Sequence, residues 1–353
     1  MTEIKIGSGK VGAGHPVYLI AELSANHNGS FDQAVELVHK AKEAGVDAVK
    51  VQTYTADTIT LKSDKDYFKI HGTKLWDGRT LHDLYAEASM PWEWQPKLQK
   101  IALDLGLDFF SAAFDPTAVD FLEKLNVPVH KVASFELVDI PLIEKMASTR
   151  KPLIMSTGMA TLEEIQEAVS AAQKAGAGGI ALLKCTSAYP APFEEMNLRA
   201  IPDMSEKFKV PAGLSDHTLG ISVPCAAVAL GASILEKHMT LSRALPGPDS
   251  AFSLEPQEFK SLVEAVRACE QALGKAVYGA NHHEKKSREF RRSLFAVKNI
   301  RKGEILNSEN IRSIRPANGL APKFQKKVLG RRAVSDISEG TPLDWPLIEG
   351  GNL

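Results

Sequence analysis

PLIMSTGMATLEEIQEAVSAA, residues 152–172, reads as one complete strand-turn-helix unit. Pro152 to Thr157 is a short apolar run of strand length, ending in hydroxyls. Thr161 then stands as a helix N-cap, with Glu163 and Glu164 in the acidic first turn, and Ile165, Ala168, Val169 and Ala172 follow at helical spacing. The same cycle recurs along the chain. Its strand candidates are Val17 to Leu23, Ala48 to Thr53, Leu107 to Phe114, Val129 to Ser134, Pro152 to Thr157, Ile180 to Ser187, Val210 to Leu214 and Ile234 to Thr240. Asp32, ahead of Ala34, Val35, Leu37 and Val38, reads as another N-cap. Continuous apolar strands alternating with helices imply a parallel sheet covered on both faces, and eight units is the count that closes a (β/α)8 barrel. An open doubly wound sheet is the alternative.

The rhythm breaks between Tyr54 and about Trp94. This polar and aromatic excursion, with Tyr67, Phe68, Trp76 and Arg79, far exceeds the roughly 2–6 residues of an ordinary connection. A loop over the barrel mouth is expected, with a plain surface insertion as the alternative. After Gly274 the pattern changes again: residues 281–290 read as a linker between a barrel domain, 1–280, and a small strand-rich, glycine-punctuated domain, 291–353.

A formal net charge of -1 gives no global attraction to nucleic acid or to an anionic membrane. The region Lys285 to Arg332 is locally basic, with Glu289, Glu304 and Glu309 its only acids, but it shows no nucleic-acid module. The first residues lack the apolar segment of a signal peptide, and no run approaches the ~20 apolar residues of a membrane span. A cytoplasmic protein is expected. Cys185, Cys225 and Cys269 are widely spaced and indicate neither a disulfide framework nor a cysteine zinc site. The sequence also lacks the Gly-x-x-x-x-Gly-Lys-Ser/Thr and Gly-x-Ser-x-Gly motifs.

A barrel of this kind builds its site at the carboxyl ends of its strands, and polar residues collect there. Glu22, Lys50, Gln52, Ser111, Lys131, Ser134, Ser156, Thr157, Lys184, Thr186, Ser187, Ser215, Asp216, His217, Glu236 and His238 all fall at these positions. A lysine in a buried strand needs a partner. Lys50, Lys131 and Lys184, amid hydroxyls, suggest a cradle for a multiply charged oxyanion, with ion pairs to nearby carboxylates as the duller alternative. Adjacent strand residues face opposite ways, so His238 is assigned inward and Lys237 outward, snorkelling toward solvent. His217 and His238 end neighbouring strands and are candidate metal ligands, with Asp216, Glu236 and Asp249 close in sequence. His282 and His283, in the linker, read as solvated.

The motifs Ala21-Glu22-Leu23-Ser24-Ala25-Asn26-His27-Asn28-Gly29, Lys50-Val51-Gln52-Thr53, Lys131-Val132-Ala133-Ser134-Phe135-Glu136, Ser156-Thr157-Gly158-Met159, Gly213-Leu214-Ser215-Asp216-His217-Thr218, Glu236-Lys237-His238 and Gly247-Pro248-Asp249 resemble the sialic acid synthase family. The tail, with Arg292-Ser293-Leu294 and Ile314-Arg315-Pro316-Ala317-Asn318-Gly319, is similar to that family's antifreeze-like, or SAF, domain. The strings around Asn26, Leu75-Trp76-Asp77-Gly78-Arg79, Lys184 to Pro192 and Pro248 to Ser253 resemble its pseudaminic branch.

The resemblance implies a TIM barrel followed by a SAF domain, and a condensation of phosphoenolpyruvate with 2,4-diacetamido-2,4,6-trideoxy-L-altrose. An N-acetylmannosamine or legionaminic-type precursor is the alternative sugar. It implies a divalent metal, Mn2+ or else Mg2+ or Co2+, on His217 and His238. Lys50, Ser111, Lys131, Ser134, Ser156, Ser187 and Ser215 would hold phosphoenolpyruvate. Glu22 and Asp249 would act catalytically on the sugar side, where Gln52, Glu136 and Tyr189 would also bind. Arg315 would reach an N-acyl group in the partner of a domain-swapped homodimer. One departure is visible: many relatives have Thr-Pro after the serine of strand three, where this chain has Ala112-Ala113, so that hydroxyl contact is missing. A Schiff-base aldolase and a non-catalytic carbohydrate-binding protein are the competing readings.

Overall fold

The computed structural model describes residues 3–7, 9–72 and 76–351; Leu75 of the motif above lies outside them. A short antiparallel hairpin comes first, β1 (Ile4–Ile6) and β2 (Gly9–Val11), paired Ile4 to Val11. Its Ile4, Ile6 and Val11 are buried. A Cβ on Gly179, just before a barrel strand, would meet Ile4, and one on Gly7 would strike Asp108 at the start of another. The hairpin therefore packs against the amino ends of the strands, opposite the mouth.

Eight parallel strands follow among the described residues: β3 (Tyr18–Glu22), β4 (Ala48–Thr53), β5 (Asp108–Ala113), β6 (His130–Val132), β7 (Leu153–Ser156), β8 (Ile180–Cys185), β9 (Ala212–Asp216) and β10 (Ile234–His238). They form a closed barrel in which β10 pairs with β3 from Ile234↔Tyr18 to His238↔Glu22. That pairing excludes the open sheet. Several strands are shorter than the apolar runs: β6 stops at Val132 and β8 at Cys185, leaving Ser134 and Ser187 in the loops at the mouth.

The helices are α1 (Phe31–Ala44), α2 (Ala56–Ile59), α3 (Leu81–Ala88), α4 (Gln95–Asp104), α5 (Pro116–Lys124), α6 (Ile140–Ser148), α7 (Leu162–Lys174), α8 (Ala200–Phe208), α9 (Ser222–Ala229) and α10 (Pro256–Leu273). In α7, Thr161 caps the Glu164 N–H while Glu164 accepts from the Thr161 N–H, the reciprocal box its sequence announces. In α1 the cap is Ser30, whose hydroxyl accepts from Gln33 N, and not Asp32, which falls in the first turn. The helix begins two residues earlier than an Asp32 cap implies, and Phe31 also packs against the core.

The chain divides into two compact units after Gly274. In the second, β11 (Ser293–Ala296) pairs antiparallel with β12 (Ile311–Ile314), a short α11 (Gln325–Val328) follows, and Leu294, Ala296, Ile300, Leu306, Ile311, Val328 and Leu343 form a separate core. His282 and His283 are exposed, as expected of solvated linker residues. No helix among the described residues is long and apolar enough to cross a membrane.

Candidate active site

Register decides which strand residues share the barrel interior, because partners opposite each other on adjacent strands point to the same face. Glu22 lies opposite both Lys50 and His238, Gln52 opposite Ala112, Ala112 opposite Lys131, and Ser215 opposite both Cys185 and Glu236. These residues, drawn from seven strands, face one space.

Two lysines enter it in different electrostatic states. Lys50 Nζ lies 2.6 Å from Glu22 and 3.4 Å from Glu236, all three side chains buried. Burial works against its ammonium, yet Glu22 and Glu236 outweigh it and raise the pKa, so Lys50 is a buried cation with counterions. Lys131 is equally buried but donates to the Ser156 hydroxyl at 2.7 Å and the Val132 carbonyl at 2.9 Å, both neutral. Burial lowers its pKa, with Glu236 pulling the other way. A cation held only by neutral oxygens has spare capacity for an anion. Beside it, the Ser134 and Ser187 hydroxyls lie 2.8 Å apart, and a Cβ on Gly158 would come within 2.5 Å of Ser134 and 3.1 Å of Ser187. Glycine there keeps a small hydroxyl-lined cradle open.

The imidazoles of His217 and His238 have ring centroids 5.3 Å apart. His217 Nδ1 is 3.0 Å from the Thr186 carbonyl, so Nδ1 is a donor and Nε2 is the nitrogen a ligand would take when the ring is neutral. Burial, then His217 and Lys50, push the His238 pKa well down, so its ring is neutral, and its buried Nδ1 has no hydrogen-bond partner among the described residues. Burial works against a His217 cation, but Cys185 and the Thr186 carbonyl beside it outweigh burial and raise its pKa; once His217 has lost its Nε2 proton, it and the neutral His238 form a pair suited to a borderline divalent ion. No cluster of three or more His, Cys, Asp or Glu poised for a metal occurs among the described residues, so the remaining positions would fall to water and substrate. Tyr189 and Phe252 wall the pair, with centroids 4.5 Å from His217 and 5.0 Å from His238.

Around this centre stand further acids. Asp249 accepts from the Ser24 hydroxyl and, at 3.3 Å, from Ala25 N, while burial raises its pKa. Gln52 donates to Glu22 at 3.0 Å and to Ser24 at 2.9 Å. Glu136, half-buried just beyond β6, has its pKa pushed up to about 7 by burial, against the pull of Lys131. From the long excursion, Trp76 reaches Tyr189 with centroids 5.8 Å apart, so that segment lies over the mouth, as expected. Arg315 is exposed, immediately after β12 in the second unit.

Four expectations are corrected. Ser111 faces outward: its hydroxyl lies 2.6 Å from Thr53 Oγ1 and 3.0 Å from the Val51 carbonyl, in the layer between barrel and α4, where it cannot touch a ligand at the centre. Lys184 pairs in register with Leu214, on the face opposite Cys185, and its ammonium caps the Cys185 carbonyl at 2.8 Å; it is no part of an interior cradle. Lys237 does point outward, but it is buried, not snorkelling, and its ammonium meets Asp216 and the Thr218 carbonyl, each at 2.5 Å. Asp216 is thereby turned away from the imidazoles. Sequence reasoning passed over Ser24 and Cys185. For Cys185 the signal was parity alone, which cannot be assigned until the register is known, while Ser24 lies past the end of β3 in a turn whose direction only the backbone shows.

Comparison with known proteins agrees with this geometry. The model of the NeuB family matches residues 37–278 and that of the SAF domain residues 291–349. The chain is 47% identical to the pseudaminic acid synthase of Helicobacter pylori over 95% of its own length and 98% of that protein's. It is 37% identical to the N,N'-diacetyllegionaminic acid synthase of Legionella pneumophila, over 96% of each. Among solved structures, the N-acetylneuraminic acid synthetase of Leptospira borgpetersenii in complex with citrate superposes with a TM-score of 0.72 at 31% identity, covering 82% of this chain and 96% of that one. A (β/α)8 barrel with this mouth, continued by a SAF domain and matched along nearly its whole length, belongs to the NeuB family.

Proposed function

We propose that the chain is a pseudaminic acid synthase: it joins phosphoenolpyruvate to the open-chain aldehyde of 2,4-diacetamido-2,4,6-trideoxy-L-altrose and water, forming pseudaminic acid and phosphate. The similarity to the H. pylori enzyme supports the choice of sugar. One observation carries the chemistry: Lys131, a buried lysine whose hydrogen-bond partners among the described residues are neutral oxygens, stands with Ser156 in the space into which His238 also faces.

In this reading Lys50, Lys131, Ser134, Ser156, Ser187 and Ser215 hold the phosphate and carboxylate of phosphoenolpyruvate. Ser111 is left out, because its hydroxyl is committed on the other side of the sheet. His217 and His238 would hold a divalent ion, Mn2+ by our choice over Mg2+ or Co2+, and such an ion supplies Lewis-acid polarisation of the aldehyde oxygen. C3 of phosphoenolpyruvate then attacks the aldehyde carbon, water adds at C2, and the C2–O bond to phosphate breaks. Glu136 is suited to take the proton of that water, since a carboxyl with a pKa of about 7 exchanges protons readily at neutral pH. Glu22, Gln52, Asp249 and Tyr189 position the sugar. Arg315 is assigned to the sugar's N-acyl group in the barrel of a second copy, within a domain-swapped homodimer, and the enzyme to the cytoplasm.

Phosphate release from phosphoenolpyruvate, measured over a panel of 2-acetamido and 2,4-diacetamido hexoses, tests the reading. The altrose derivative should give the highest kcat/KM. Preference for N-acetylmannosamine or for a legionaminic precursor would move the chain to those branches of the family, and release with none of them would overturn the function.

A further inference from the structure

Ser24 holds an unusual backbone position. Its φ is +43°, in the left-handed region that disfavours a side chain, and it sits in a tight turn in which Asn26 N donates to the Leu23 carbonyl at 3.0 Å. Glycine would take that conformation without strain. The serine hydroxyl is 4% exposed as a residue and makes two contacts: it donates to Asp249 and accepts from Gln52 Nε2 at 2.9 Å. The same Gln52 nitrogen donates to Glu22 Oε1 at 3.0 Å. A chain of hydrogen bonds thus runs Glu22, Gln52, Ser24, Asp249, joining the end of β3, the end of β4 and the loop after β10. Strain retained at a site where a smaller residue would relax it points to a role for the side chain.

We propose that Ser24 is a positioning residue that locks Glu22 and Asp249, the two sugar-side carboxylates, into one fixed arrangement. The proposal rests on the function given above. Each bond is directional: the hydroxyl proton is spent on Asp249, so its lone pair is what Gln52 meets, and the Gln52 amide is thereby oriented with its N–H groups toward Glu22. Without the hydroxyl, Asp249 keeps, among the described residues, the longer Ala25 N–H bond as its side-chain contact, and Gln52 loses one of its two acceptors. Glu22 keeps its Lys50 contact at 2.6 Å, so the freedom gained falls mainly on Asp249 and on the Gln52 amide, at a larger cost to the sugar than to phosphoenolpyruvate.

Ser24→Gly makes the role separable from the fold, because it removes the hydroxyl and the strain together. We expect a Tm within about 2 °C of wild type, since relief of the left-handed strain offsets the added freedom of the unfolded chain. The KM for phosphoenolpyruvate should stay within about twofold, while kcat/KM for the diacetamido sugar falls by roughly tenfold or more. Ser24→Ala, which keeps the strain and lacks the hydroxyl, should show the same kinetic split with a lower Tm. Crystal structures of wild type and Ser24→Gly give a readout independent of turnover: the Asp249 carboxylate and the Gln52 amide should shift. Wild-type sugar kinetics in Ser24→Gly, or unmoved Asp249 and Gln52, overturns the positioning role while the function stands. A wild-type enzyme inactive on every sugar of the panel overturns the function, and the paired structures then decide the positioning role by themselves.

Discussion

Lys131 hydrogen-bonds two neutral oxygens, and burial outweighs the through-space pull of Glu236 on its ammonium, an arrangement that a bound anion would relieve. Lys131→Met should therefore raise the KM for phosphoenolpyruvate by about 30-fold or more, the scale of one charge-assisted contact. It should also leave Tm unchanged or higher; a clear fall in Tm on calorimetry would mean that Lys131 serves the fold. Glu136 offers a second test through pH. Its folded pKa of about 7 lies above the ordinary 4.5, so between those values the native state binds the proton that the unfolded chain has released. The contribution of Glu136 is thus harmless below about pH 4.5 and increasingly destabilising as pH rises through about 7. Denaturant titrations should show Glu136→Gln gaining on wild type over that window, by about 2 kcal/mol once partial solvent screening is allowed for. Equal pH profiles for the two proteins would show that its burial does not perturb it.

At the scale of elements, the end of β4 is braced from behind. Gln95, at the start of α4, donates to the Gln52 carbonyl at 3.2 Å and accepts from Thr53 Oγ1 at 2.8 Å, and Thr53 in turn meets Ser111. This buried network explains why β5 carries a serine that faces away from the mouth. Ser111→Ala should cost about 1 kcal/mol of stability, the net worth of a buried hydrogen bond, and leave the KM for phosphoenolpyruvate within about twofold. A large rise in that KM would restore Ser111 as a ligand. The elements themselves were largely legible beforehand: every barrel strand coincides with an apolar run, and the α7 cap was visible in Thr161 and Glu164. The α1 start was misplaced at Asp32 because aspartate and serine cap equally well in sequence, and only the backbone shows which hydroxyl or carboxylate reaches the free N–H.

For the whole molecule, the long excursion and the second unit lie outside the regular strand-helix repeat. Trp76 brings the excursion to Tyr189, so the mouth is walled by residues remote in sequence. The second unit has its own core and presents Arg315 on its surface. Arg315→Ala should raise the KM for the sugar by about tenfold, with phosphoenolpyruvate and Tm unaffected; an unchanged sugar KM would remove it from the site.

By itself the sequence determined the repeating unit, the closure number and the set of polar residues at the strand ends, because apolar period and turn chemistry are local properties. It also placed His217 and His238 at the ends of neighbouring strands. Tertiary structure decided which of those polar residues face inward. A strand alternates strictly, but its phase is set by the register with its neighbours, and that is a property of the closed sheet. Hence Lys131 and Ser111, both strand-end polar residues in sequence, part company in space: one meets the centre and the other the helix layer.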